Sequence, residues 1–132
     1  KSGVNAVGSV FSTSFSLELV PGLYISQMSF FYGAGGSGSE PAVQLYSGGQ
    51  LLFTLGLDEC SGTGFCGWQA FEVPQANLGA NLITKVTFLG SENKVVYDDV
   101  FLSTSPIPEP ATYGLMLLGL AMVAAIGRRR AR

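Results

Sequence analysis

The chain has 132 residues, enough for one domain of ordinary size. Residues 1–110 hold three Lys, no Arg and all nine acids, a balance of −6, whereas residues 111–132 hold four Arg and no acid, +4; together they make the net −2. The acidic, Arg-free body argues against nucleic-acid binding, which needs clustered cations, and the lack of any His removes the usual general base, the Ser/His and Cys/His nucleophile pairs and most zinc chemistry.

The chain starts at Lys1 without an initiator Met, and no apolar segment precedes its first strand-like run, which reads as an export signal lying outside it. Residues 10–19 then alternate. Phe11, Thr13, Phe15, Leu17 and Leu19 share one face and Ser12, Ser14, Ser16 and Glu18 the other, so a half-buried strand is expected, ended by Pro21-Gly22. Residues 23–32 make a second run with Met28, Phe30 and Tyr32 in phase. Residues 33–39 are all Gly, Ala and Ser and read as a flexible loop too small-chained to pack.

Ala42–Tyr46 and Leu51–Leu55 flank Ser47-Gly48-Gly49-Gln50, whose glycines can take the positive φ angles of a tight hairpin. Trp68–Val73 is a further strand closed by Pro74. Leu82, Thr84, Val86 and Phe88 alternate in the next, and Lys94–Leu102 forms the last. About seven strands in roughly 100 residues predict an all-β fold, an antiparallel two-sheet sandwich over residues 1–102.

Residues 103–110 (Ser-Thr-Ser-Pro-Ile-Pro-Glu-Pro) read as a Pro-rich linker, since closely spaced prolines favour extended geometry and cannot serve a ladder. Residues 111–132 are a separate unit. Ala111–Gly127 is a charge-free run of 17 residues, roughly 25 Å as a helix against a bilayer core of about 30 Å. Leu115, Leu117, Leu118, Leu120, Val123 and Ile126 together supply roughly −3 kcal/mol of insertion free energy. One transmembrane helix is expected, stopped by Arg128, Arg129 and Arg130, which stay cytoplasmic and leave residues 1–110 outside. An amphipathic or core helix would show a polar face, and this run has none.

Cys60 and Cys66 are the only cysteines, with Gly62 and Gly64 between them. Without His they fill no zinc site and make no activated thiol, so a structural disulfide is expected, worth roughly 2 kcal/mol for so short a loop, and with it an oxidising compartment. Asp98 and Asp99 lie in the last strand and, by alternation, cannot both face one site; Asp98 shares its parity with Val96, Val100 and Leu102 and is expected to be buried, hydrogen-bonded to backbone amides of a neighbouring loop. Trp68, with Tyr24, Tyr32, Tyr46 and Tyr97, is either ordinary core filling, the favoured reading, or a possible glycan contact. Glu18, Glu40, Asp58, Glu59, Glu72 and Glu92 show no spacing that selects a glycosidase pair. No catalytic residue is assigned, and the chain is expected not to be an enzyme.

Pro108-Glu109-Pro110, followed by Ala111-Thr112-Tyr113-Gly114-Leu115-Met116-Leu117, the apolar run and the Arg cluster, closely resembles the PEP-CTERM sorting signal. The resemblance implies an exported protein of a Gram-negative bacterium that makes extracellular polysaccharide. It also implies an exosortase-type membrane protease as partner, which processes the chain near Pro108–Pro110. The inner membrane is then a transient station before the cell envelope or the extracellular matrix, where a structural or adhesive role is expected. Gly22-Leu23-Tyr24-Ile25-Ser26, the Cys60/Cys66 pair before Trp68, and Val96-Tyr97-Asp98-Asp99-Val100 resemble an exported domain recurrent in such proteins. That likeness implies a jelly-roll sandwich of the carbohydrate-binding type. It offers a module for the cell's own exopolysaccharide as the alternative function, and Asp98 as a weak candidate ligand for calcium, the one cofactor considered.

Overall fold

The computed structural model describes residues 6–8, 14–59, 61, 64–107 and 110–130, with backbone alone for 6–8, 110–112 and 124–130. Among these residues eight strands form two four-stranded sheets. They are β1 (Ala6–Gly8), β2 (Ser14–Glu18), β3 (Leu23–Ala34), β4 (Ala42–Ser47), β5 (Gln50–Gly56), β6 (Gln69–Glu72), β7 (Lys85–Leu89) and β8 (Val95–Pro106). One sheet runs β1-β8-β3-β6 and the other β2-β7-β4-β5, all pairs antiparallel. This is the strand order of a jelly roll. A helix, α1 (Pro110–Arg130), follows the last strand.

The alternation read in the sequence sets the layers. In β2, Phe15 and Leu17 turn towards the facing sheet while Ser14, Ser16 and Glu18 are exposed. Phe11 and Thr13 lie outside the described residues. The core takes Met28, Phe30 and Tyr32 from β3, Val43 and Leu45 from β4, Val86 and Phe88 from β7, and Tyr97, Val100 and Leu102 from β8. Phe88 is its centre: it stacks on Phe15 with ring centroids 4.5 Å apart and meets Tyr97 and Phe30 edge-on at 4.9 and 5.4 Å. Such offset and edge-to-face contacts suit the ring quadrupole. The hairpin between β4 and β5 is the expected one, with Gly48 at φ 54° and Gly49 at φ 86°.

Four expectations are corrected. An eighth strand, β1, pairs with β8; it is too short to show a period. The seventh begins at Lys85, because two 3-10 turns (Gln75–Asn77 and Gly79–Asn81) end with Leu82 in the left-handed region at φ 49°. Residues 33–39 are no loose loop. β3 continues to Ala34, Gly35 N–H donates to Lys94 O at 2.6 Å, Ser91 Oγ donates to Gly38 O at 2.7 Å, and Ser39 is fully buried. The small side chains that made this segment look unpackable are what let neighbouring backbone approach it.

The domain boundary also moves. Residues 103–106, read as linker, are the end of β8: Ser103, Thr104, Ser105 and Pro106 pair with Gln27, Ile25, Tyr24 and Leu23. A proline is tolerated at the terminus of a strand, where no further ladder donor is needed. Pro110, assigned to the linker, opens α1, the position at which a helix can spare its N–H.

Candidate functional site

Two regions bear on function: the C-terminal segment, and one outer sheet face. In the first, Pro108 and Glu109 lie outside the described residues, while Pro110 starts α1 and Arg128, Arg129 and Arg130 are its last three residues. Every side chain from Tyr113 to Val123 is exposed, Leu115 and Val123 at 70%. Over residues 113–123 the helix therefore buries no stripe against the sandwich, which agrees with a run that is apolar on all sides. Among the described residues no helix is long and apolar enough to cross a membrane; the uncharged stretch falls short of a full span before the arginines begin.

The second region is a shallow cleft of about 290 Å³ on the outer face of the β1-β8-β3-β6 sheet, lined by Phe31, Trp68, Asp98 and Asp99. Its construction follows from the pairing. Phe31 stands outward on β3, opposite Asp98 of β8 on one side and Ala70 of β6 on the other. Two residues further along β3, Gly33 would also point outward. Its missing Cβ leaves room for Phe65: a Cβ built there would lie 2.3 Å from two carbons of that ring. Phe65 in turn meets Trp68 edge-on, with centroids 5.8 Å apart and planes at 80°. Phe65 is 54%, Trp68 51% and Phe31 43% exposed.

Both aspartates reach this cleft because β8 is bulged. Ser29 pairs with Phe101 and Phe31 with Asp98, so two steps on β3 face three on β8. Asp99 absorbs the extra residue with φ 46°, a conformation that Asp tolerates better than most side chains. The bulge also resets the phase: Val95 and Tyr97 are inside before it, Val100 and Leu102 after it. The expectation that Asp98 is buried beside Val96, Val100 and Leu102 is thereby overturned, since uninterrupted alternation does not hold here. Asp98 is half-buried on the outer face, and its Oδ1 accepts the N–H of Asp99 itself at 2.8 Å, not an amide of another loop. The expectation that the two acids cannot face one site fails for the same reason. For the calcium reading of Asp98, the described residues bring no three acids, Cys or His together that could hold a metal ion.

Trp68, favoured as core filling, is half out in solvent instead. Of the tyrosines considered with it, Tyr32 and Tyr97 belong to the core. Tyr46 lies on the other sheet beneath Lys85, whose Nζ is 5.6 Å from the ring centroid. Phe31, Phe65 and Asp99 were missed as site residues. The available signal was Phe31, a large aromatic out of phase with Met28, Phe30 and Tyr32. Cys60 is outside the described residues; among these no cysteine is free. Two of the scattered acids have structural work: Glu59 accepts the N–H groups of Glu40 (2.9 Å) and Gly38 (3.3 Å), and Glu18 lies 4.0 Å from Lys85.

Comparison with known proteins assigns the first region. A family model described as the PEP-CTERM protein-sorting motif matches residues 106–131. No curated protein and no solved structure matches the chain. The matched segment begins on the last residue of β8 and takes in the whole of α1. The motif implies transit through the membrane, processing by exosortase, a membrane protease, and delivery to the envelope or the cell exterior. The chain is thus an exported protein that contains a PEP-CTERM sorting motif.

Proposed function

We propose that the sandwich is cargo for the envelope or the extracellular polysaccharide matrix, with a structural or adhesive role and no catalytic one. On this reading α1 holds the chain in the inner membrane with the sandwich outside and Arg128–Arg130 in the cytoplasm. Exosortase then cuts near Pro108–Pro110 and the sandwich is released. The observation that carries the reading is the sorting motif lying on a helix whose apolar side chains over residues 113–123 are all exposed. Covering side chains such as Leu115, Leu117, Leu118 and Leu120 is worth roughly 1.5–3 kcal/mol apiece. The sandwich does not supply that cover, and lipid would. A bilayer accommodates a short apolar segment by thinning locally, at a modest cost per Å of mismatch. A Cys60–Cys66 bridge belongs to the same reading, as an oxidising exterior would favour it.

The test is mass spectrometry of the protein recovered from the envelope or medium of producing cells. The expected C-terminus lies within a few residues of Pro110, and the mass without reductant is two hydrogens below that of the reduced chain. An exported protein intact through Arg132 would end the sorting account. A second reading, a module that binds the cell's own polysaccharide, is favoured by the aromatic and acidic cleft.

A further inference from the structure

The geometry points to the Phe31–Trp68–Asp98–Asp99 cleft as a saccharide subsite that takes a pyranose ring with hydroxyl or ammonium donors and rejects polyanionic sugars. This rests on the reading of the sandwich as a component that meets extracellular polysaccharide, and it adds where contact is made and with what chemistry. Three observations carry it.

The first is the cost of leaving these aromatics in water. Phe31 and Trp68 expose broad apolar faces side by side, and an exposed apolar patch of this kind marks a contact site. Trp and Phe faces suit the C–H face of a pyranose. The second is rigidity. Phe31 sits in the middle of a strand paired on both sides, and Trp68 is braced by Phe65, itself seated over Gly33. A platform whose side chains are already held loses little freedom on binding.

The third is charge. Asp98 and Asp99 are acceptors, and among the described residues the one ion pair, Lys85 with Glu18, is in the other sheet. Two carboxylates that pair with no cation among the described residues receive hydroxyl or ammonium donors and repel uronates. The bulge at Asp99 aims both acids at the space over Phe31, which alternation alone would forbid. An aromatic floor with acceptors along one wall is the chemistry of a sugar ring; a purely apolar partner would leave the two carboxylates desolvated.

The experiment uses the full chain in detergent, immobilised on a sensor, with cellohexaose, chitosan oligomers and alginate oligomers as probes. Binding of cellohexaose, chitosan or both is expected, with alginate giving none; binding by both identifies hydroxyl donors as sufficient, and by chitosan alone identifies the ammonium group. Trp68→Ala should weaken binding about tenfold or more, and Asp98→Asn and Asp99→Asn should each weaken it, all with unchanged circular dichroism. No binding to either non-acidic probe overturns the proposal, as does alginate binding. Chitosan binding that survives Trp68→Ala also overturns it, for it would report only the acidic body. The C-terminus of the exported protein is measured independently, so a correctly cut protein that ignores sugars sinks this inference and leaves the sorting account standing.

Discussion

Gly33 has no side chain, and Phe65 takes the space a Cβ would fill. Gly33→Ala places a methyl group 2.3 Å from two ring carbons, so Phe65 must leave its seat and Trp68 loses its brace. We expect a loss of at most about 1 kcal/mol, because the ring that yields is the tip of a half-exposed side chain, read as a slightly lower melting temperature, together with weaker saccharide binding. An unchanged melting temperature would show that Phe65 is free to move aside. Nothing in the segment around Gly33 announces this role, because the ring that needs the space comes 32 positions later. Trp68 is a similar case. A tryptophan after a cysteine loop is as consistent with core as with surface, and its place depends on which neighbours the chain brings beside it.

Strands that alternate without interruption were readable from composition and period alone; β2, β4 and the Gly48-Gly49 hairpin are of this kind. The long pair β3–β8 was not, since it carries one bulge in each strand. In β3, two steps from Ile25 to Gln27 face one step on β8, so Ile25 and Met28 are both inside despite opposite parity. In β8, Asp99 does the same between Tyr97 and Val100. A bulge has no period and no fixed residue type, so it hides in the pattern it breaks. Deletion of Asp99 tests this description. Removing it restores strict alternation, with Tyr97, Val100 and Leu102 still inward, so the fold should persist within about 2 kcal/mol. Saccharide binding should weaken because one of the two carboxylate acceptors is gone while Asp98 stays outward opposite Phe31. Denaturant titration and the same sensor assay decide it, and a variant that fails to fold would mean that the bulge is needed for the sheet itself.

Across the molecule the two sheets are joined by more than apolar packing. Tyr97 of β8 donates its hydroxyl proton to Leu89 O or Ala42 O, both at the ends of strands in the opposite sheet. Burial pushes its phenol above the ordinary value, and burial raises Tyr32 in the same direction. The unfolded phenol titrates near pH 10. As pH rises past that value the unfolded chain gives up the proton first, and the equilibrium shifts towards it. Stability is therefore expected to be full below about pH 10 and to fall above it. Tyr97→Phe should cost about 1 kcal/mol near neutrality and flatten the alkaline decline, measurable by urea titration at a series of pH values. A decline as steep as that of the parent protein would exclude Tyr97 as its main source.

The hydrogen bond from Ile107 N–H to Gly22 O (2.8 Å) has a mechanical consequence. Three peptide steps separate Ile107 from Pro110, a leash of roughly 10 Å at full stretch. With the helix in a bilayer, the end of the sandwich holding Pro21 and Gly22 would ride almost on the headgroups. A cut made on so short a leash frees the cargo without first having to pry any strand loose.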